Sequence, residues 1–290
     1  WMVAEEITSG TSATTFSTGA RITRAEAATF LHRYAGSPDV TVDPTRALCP
    51  IEYQPGVTLR VFEPASCPTD GNRVVMTGGP NSSFFDGRFA PLGYVHVDVD
   101  YRNPGYSGRL DAGTLRAFGW SVSDLATAVR WVRAHAADLC ADPDRIAAAG
   151  YSYGAITALS LAYTLGELTP GEVIVADGVG DPTVVGDEMP PPPPAWLEPY
   201  SPDIQAAVSF AGFALAHTID PGEPPVLLFH GTNDTVIPYP LAQQTCAAAT
   251  AVGITCELVT HNAGHAATDA VGNFDDAINR TDAFLRRELG

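Results

Sequence analysis

The sequence predicts an α/β fold with a mostly parallel central sheet and helices on both of its faces. Strand-like and helix-like segments alternate over residues 49–290, which favours one large domain. The segments VVM (74–76) and VLLF (226–229) are apolar throughout, as expected for strands buried on both faces. The predicted strands are 58–63, 73–77, 94–100, 145–149, 205–211, 225–230 and 255–260, and the predicted helices are 121–137, 153–165, 239–251 and 268–288.

The composition narrows the classes of function. The net charge of −17 disfavours nucleic acids and anionic membrane surfaces as partners, and it favours neutral substrates. No apolar run approaches the roughly 20 residues that a membrane-spanning helix needs. The sequence contains no lysine, which excludes Schiff-base chemistry, a phosphate-binding lysine and a Ser-Lys dyad.

The first 36 residues differ from the rest and predict a small helical module. Thr23 and Glu26 form a capping box at the start of a helix. The residues that follow recur at helical spacing on one face: Ala27, Phe30, Leu31 and Tyr34. Residues 37–48 contain two prolines and are predicted to form a linker to the catalytic domain, 49–290.

This amino-terminal module resembles one repeat of the S-layer homology (SLH) domain. The matching residues are WMVAEEITSG, Phe16 and ITRAEAATFLHRYAG. SLH modules usually act in sets of three that anchor exported proteins to cell-wall polymers. The resemblance therefore implies a secreted or cell-surface bacterial protein, a cell-wall polymer as partner, and upstream repeats or a secretion signal missing from this chain. The alternative is a helical hairpin packed against the catalytic domain.

Five cysteines are present, and none lies in a C-x-x-C pair, so we expect no zinc or redox motif. Their spacing favours two short-loop disulfides, Cys49–Cys67 and Cys246–Cys256, which would indicate an oxidising compartment. Cys140 then has no assigned partner, and its pairing with Cys49 or Cys67 is an alternative. A third alternative is five reduced cysteines in the core.

Residues 170–203 interrupt the alternation of strands and helices. They include an unbroken run of prolines, 190–194, which cannot join a helix or a central strand. The run favours polyproline conformation at the surface. A lid or rim over the active site is the alternative.

The segment Gly150-Tyr151-Ser152-Tyr153-Gly154 has the pattern G-x-S-x-G. It follows a predicted strand and precedes a predicted helix, as a nucleophile elbow requires. The flanking glycines permit a tight turn that lifts the serine hydroxyl out of the sheet. The sequence therefore predicts Ser152 as a nucleophile at a helix amino terminus, where developing negative charge is stabilised.

Two further residues complete a predicted Ser-His-Asp array. Asp234 follows the strand 225–230, and the carboxyl ends of parallel strands form the edge where such sheets bind ligands. His265 lies in the loop after the last strand, so it is predicted as the general base, oriented by Asp234. His261 is the nearest competitor, but it stands at the strand end. A plain turn residue is the alternative role for Asp234.

The segment Thr77-Gly78-Gly79-Pro80 follows the strand 73–77. Small residues there let backbone N–H groups approach a substrate carbonyl. We expect the N–H groups of Gly79 and Tyr153 to form an oxyanion hole.

Five segments together resemble the α/β-hydrolase superfamily on its carboxylesterase side: TGGP, DVDYRN, DPDRIAAAGYSYG, PVLLFHGTNDTVIP and AGH. The resemblance covers about 240 residues and implies an α/β-hydrolase fold and a serine ester hydrolase. It implies neither a metal nor an organic cofactor. Thr77 replaces the histidine of the usual H-G-G-G/A motif, and Pro80 has no N–H. Two backbone donors are therefore expected rather than three.

The segments G-G-P and G-Y-S-Y-G also resemble the prolyl oligopeptidase class of serine peptidases. Members of that class usually carry an amino-terminal propeller, for which too few residues precede the domain here, so peptide hydrolysis is the second prediction. A non-catalytic binding module is the third. The expected substrates are short-acyl, aromatic or polymeric esters outside the cell. Five aromatic residues are candidates either for an acyl or aromatic site or for the core: Phe84, Phe85, Tyr151, Tyr153 and Trp196.

Overall fold

A computed structural model describes residues 50–104, 112–163, 190–265 and 274–290, with the backbone alone for 112–116. All of them lie in the unit Pro44–Gly290. The predicted helical module 1–36 and linker 37–48 lie outside the described residues, as does 170–189 of the proline-rich segment. No helix in the described ranges has the length and apolar character needed to cross a membrane.

One sheet of eight strands forms the centre of the described structure, in the order β1-β2-β4-β3-β5-β6-β7-β8. All neighbours from β4 to β8 pair in parallel, and β2 is antiparallel to both β1 and β4. This confirms the predicted mostly parallel sheet. The strands are β1 Ile51–Gln54, β2 Val57–Phe62, β3 Asn72–Gly78, β4 Val95–Asp100, β5 Ala141–Tyr151, β6 Ala206–Phe210, β7 Val226–Gly231 and β8 Cys256–His261.

The seven predicted strands are all present, and β1 is an addition. It has four residues and a partly exposed start, too short a pattern to be separated from a turn by periodicity. In the sheet, β4 lies along one edge of β3, and the next strand, β5, lies along the other edge of β3. This change of direction makes the carboxyl ends of β3 and β5 the expected position of a ligand site.

Five helices accompany the sheet: α1 Ala112–Ala134, α2 Ala136–Leu139, α3 Tyr153–Tyr163, α4 Tyr239–Ala251 and α5 Phe274–Glu288. Adjacent residues of β3 enter opposite cores, because side chains alternate along a strand. Val74 packs in the core that contains residues of α1, α3 and α4, whereas Val75 packs in the core that contains residues of α5. The sheet is therefore covered on both faces, as predicted.

Two disulfides are present, Cys67–Cys140 and Cys246–Cys256, with Cα–Cα distances of 5.7 and 5.5 Å. The predicted Cys49–Cys67 pair is wrong, and the alternative partner for Cys140 is the one observed. The reason is tertiary: β3 and β5 are neighbours, so the residues that flank their amino ends meet. Asn72 fixes this contact, since its backbone N–H and its side-chain amide both donate to the carbonyl of Cys140.

The described part of the proline-rich segment, from residue 190 on, packs against the carboxyl-terminal end of α1. Arg130 donates to the carbonyl of Glu198, and Trp196 lies against His135 with ring centroids 5.8 Å apart. Since α1 leads through α2 into the amino end of β5, this contact lies away from the carboxyl ends of the strands. The alternative of a lid or rim stays a prediction for residues 170–189, outside the described residues.

Candidate active site

Ser152 stands at the sharp turn between β5 and α3. Its φ of 53° is a left-handed value that residues other than glycine rarely adopt. Its N–H donates to the carbonyl of Phe210 on the neighbouring strand at 2.8 Å, which fixes the turn. A side chain at position 150 would collide with the backbone of Gly154, so glycine is required there. The turn places the serine at the amino terminus of α3.

The structure brings Ser152, His265 and Asp234 together in one hydrogen-bonded row. Ser152 Oγ lies 2.8 Å from His265 Nε2, and His265 Nδ1 lies 2.7 Å from Asp234 Oδ2. Since a carboxylate can only accept, Nδ1 carries the proton and Nε2 is left to accept from the serine hydroxyl. This is the geometry in which an imidazole can remove the proton of a nucleophile.

The carboxylate of Asp234 is fully buried and held in one orientation. Its Oδ1 accepts hydrogen bonds from the N–H groups of Val236 and Ile237, both at 2.8 Å. The buried His230 closes the same turn, because its Nε2 donates to the carbonyl of Ile237 at 2.9 Å and lies 3.4 Å from Asp234 Oδ2. Oδ2 is thereby left facing the imidazole of His265. Sequence reasoning missed His230, although its place in the segment FHG was a usable signal.

The loops after β7 and β8 are connected by backbone hydrogen bonds, which fix the carboxylate of Asp234 relative to the imidazole of His265. Thr232 N–H donates to the carbonyl of His261 at 2.8 Å, and Asn233 N–H donates to that of Ala263 at 2.9 Å. A side chain at Gly231 would collide with the carbonyl oxygen of Ala263. His261, the competitor for the role of base, lies within β8.

The two predicted oxyanion-hole residues lie on segments that touch each other. Gly79 follows β3 with a φ of 91°, a backbone conformation that favours glycine, and a Cβ there would collide with the hydroxyl of Tyr101. A Cβ at Gly154 would collide with the carbonyl oxygen of Gly78. The loop after β3 therefore abuts the first turn of α3, which contains Tyr153. The role of the two N–H groups as oxyanion donors stays a prediction.

A buried polar array lies at the end of β3, beneath the loop that follows it. Thr77 Oγ1 is 2.8 Å from His96 Nε2 and 3.0 Å from Asp98 Oδ1, and Asp98 also pairs with Arg60. Because the carboxylate only accepts, Thr77 donates to Asp98 and accepts from His96. Sequence reasoning missed this use of Thr77. The signal was the segment VHVDVD, which puts three polar residues, His96, Asp98 and Asp100, on one face of the strand.

Burial lowers the pKa of His96 from 6.5 to about 4; the nearby Asp98 opposes the shift and Arg60 adds to it. Between these pH values the unfolded chain binds a proton that the folded protein does not. The free energy of unfolding should therefore fall by about 3 kcal/mol as the pH decreases from 6.5 to 4. In His96→Gln, which keeps an N–H donor but does not titrate, this fall should be reduced by that amount.

Urea denaturation at several pH values between 4 and 7 measures this difference. The exposed His217, replaced by glutamine, is the matched control and should keep the wild-type pH dependence. An equal loss of stability with acid in His96→Gln and in the wild type would contradict the assignment.

Three of the five aromatic candidates for the substrate site lie elsewhere. Phe85 is fully buried in the core. Tyr153 is buried with its ring stacked on Phe118, at 4.6 Å between centroids. Trp196 packs on His135 at the far end of α1. Of the remaining two, Tyr151 lies beside the imidazole of His265, and Phe84 packs against Tyr151.

The arrangement as a whole is suited to covalent catalysis by a hydroxyl group. The serine lies on the loop after β5, in the sheet position adjacent to the loop after β3. Elsewhere in the described ranges, no three His, Cys, Asp or Glu side chains are placed to hold one metal ion. A fixed imidazole, an activated hydroxyl and a helix amino terminus can together form and hydrolyse an acyl intermediate.

Comparison with protein families gives two matches. The model of the prolyl oligopeptidase family matches residues 83–290. The model of the S-layer homology domain matches residues 1–28, which confirms the resemblance of the amino-terminal segment. Such domains are typical of proteins associated with the bacterial cell surface. No curated protein matches the chain.

Solved structures of esterase 2 from Thermogutta terrifontis are similar to this chain. The form phosphorylated by paraoxon is 23% identical, with a TM-score of 0.62 over 82% of this chain and 93% of that chain. The propionate-bound form is 22% identical, with a TM-score of 0.63 over 84% and 95%. The butyrate-bound form is 22% identical, with a TM-score of 0.61 over 84% and 94%. At this identity the likeness confirms the predicted fold.

Proposed function

Because the chain belongs to the prolyl oligopeptidase family, we propose that it is a serine hydrolase, and that its substrates are carboxylic esters. The observation that carries the proposal is the row Ser152–His265–Asp234, with contacts of 2.8 and 2.7 Å. Each of the three residues comes from a different loop, and the loops meet only in the folded sheet. Burying a carboxylate costs free energy. This one has its hydrogen bonds made and faces an imidazole, which supports a functional role for it.

The proposed reaction has two halves. His265 removes the proton of Ser152 as its Oγ attacks the ester carbonyl carbon, and the N–H groups of Gly79 and Tyr153 stabilise the oxyanion. Each such donor typically contributes about 3 kcal/mol to transition-state stabilisation. His265 then gives the proton to the departing alcohol oxygen. In the second half, His265 removes a proton from water as the water attacks the acyl-enzyme, and it then gives that proton to the departing Ser152 Oγ as the acid is released.

Two observations support a site of action outside the cell. The described residues contain two disulfides, which form and persist in oxidising compartments. The SLH match at residues 1–28 supports attachment to a cell-wall polymer as the role of the amino-terminal segment.

The net charge of −17 favours neutral esters over anionic ones. Short acyl groups are supported by the propionate-bound and butyrate-bound forms of esterase 2.

Peptide hydrolysis is the second candidate, favoured by the family match itself. Esters and anilides of one acyl group separate the two functions. We expect kcat/KM for 4-nitrophenyl propionate to exceed that for propionyl 4-nitroanilide, and for a prolyl 4-nitroanilide, by at least about 100-fold. An ester alcohol leaves readily once protonated by His265, whereas amide cleavage needs additional binding energy at the leaving group. Faster turnover of the prolyl anilide would favour the peptidase instead.

A further inference from the structure

Two of the large hydrophobic side chains that the structure exposes lie at the rim of the candidate active site. Phe84 is 41% exposed, and Val236, two residues after Asp234, is 62% exposed. Exposed apolar surface beside a polar site is a feature of ligand-binding grooves. The exposed ring of Phe84, which packs on the residue before Ser152, points to an apolar group of the substrate that covers it.

Phe84 and Tyr151 together form an aromatic ledge beside the imidazole. The ring of Tyr151 lies 5.5 Å from that of His265, and its hydroxyl donates to the carbonyl of His265 at 2.9 Å. Phe84 meets Tyr151 edge to face, with centroids 5.8 Å apart and planes at 87°. The ledge thus runs outward from the histidine through two aromatic rings in direct contact.

The outer ring of the ledge is held in place before any substrate arrives. Phe84 belongs to the short 3-10 helix Ser82–Phe85. Its neighbour Phe85 is fully buried, 5.2 Å from the ring of Phe210, and Phe274 packs on both phenylalanines at 6.4 and 5.8 Å. A ring fixed in this way loses little conformational entropy when a substrate stacks on it.

The position of the ledge decides which part of the ester it contacts. The leaving alcohol takes its proton from His265, so it lies on the imidazole side, while the carbonyl oxygen faces Gly79 and Tyr153. Resting on the proposed ester hydrolysis, we propose that the aromatic ledge binds the alcohol part of the substrate and selects aromatic alcohols. Ring-to-ring contact gives aromatic groups an advantage beyond their buried area.

Benzyl acetate and cyclohexylmethyl acetate test this, because the two alcohols are similar in size and acidity and differ in aromaticity. Wild-type kcat/KM should favour the benzyl ester by about fivefold. In Phe84→Leu, which keeps an apolar side chain without a ring face, and in Phe84→Ala, the ratio should fall to about half of the wild-type value or less, since only the ring of Tyr151 remains. Phe84→Tyr should keep it. Trp196→Ala, an exposed aromatic far from the site, is the control and should retain the wild-type ratio.

A wild-type ratio near one, or a ratio unchanged in both Phe84→Leu and Phe84→Ala, would overturn the aromatic ledge. Far-UV circular dichroism and urea midpoints check that the variants are folded, and the ratio itself is independent of the fraction of active protein. A wild type that hydrolyses neither ester, nor 4-nitrophenyl propionate, would instead contradict the proposed function.

Discussion

Replacing Ser152 with alanine should lower kcat for 4-nitrophenyl propionate by about 10⁶-fold. The Ser152 hydroxyl lies 2.8 Å from His265 Nε2, and its loss removes the oxygen that the imidazole would activate for attack. The substitution keeps a Cβ at a left-handed backbone position and removes a single oxygen, so the fold should be retained. Steady-state kinetics on purified protein measure the effect.

Ser201→Ala is the matched control, because Ser201 is exposed and lies outside the site. It should keep wild-type kcat and KM. If Ser152→Ala, shown to be folded by circular dichroism, retained more than about a thousandth of the activity, another residue would have to be the nucleophile.

Asp234→Asn should lower kcat by about 10⁴-fold while leaving the geometry intact. Asp234 Oδ1 accepts from the N–H groups of Val236 and Ile237. The amide oxygen of asparagine must occupy that position, so its NH₂ group must face His265 Nδ1. Nδ1 then becomes the acceptor, and the proton moves to Nε2. An imidazole with Nε2 protonated cannot take the proton of Ser152.

A control variant and the size of the loss at neutral pH make this prediction specific. Asp220 is exposed, and Asp220→Asn should retain wild-type activity. A loss in Asp234→Asn that is smaller than tenfold at neutral pH would show that the carboxylate does not set the tautomer of His265.

Local patterns in the sequence predicted most of the fold and the candidate site. Seven strands were predicted because their residues are continuously apolar or alternate, and Ser152, Asp234 and His265 were singled out because each follows a strand. Contacts between segments that are distant in the chain could not be predicted from local patterns. The Cys67–Cys140 disulfide depends on β3 and β5 being neighbours, and the Thr77–His96 contact depends on the register of β3 with β4.

The aromatic residues show the same limit at the level of single side chains. Phe84 and Phe85 are adjacent in the sequence, yet one is exposed against Tyr151 and the other is fully buried. Within a short 3-10 helix, no periodicity is long enough to tell which ring faces outward. The division between substrate surface and core therefore appears only in the folded structure.

Covalent labelling tests our claim that the hydroxyl of Ser152 is a nucleophile activated by His265. Organophosphorus reagents suit the test, since esterase 2 of Thermogutta terrifontis is phosphorylated by paraoxon. After incubation with a fluorophosphonate, intact-mass and peptide mass spectrometry should locate a single adduct on Ser152 in the wild type and none in His265→Ala over the same time. An adduct on any other residue, or equal labelling without the imidazole, would contradict the claim.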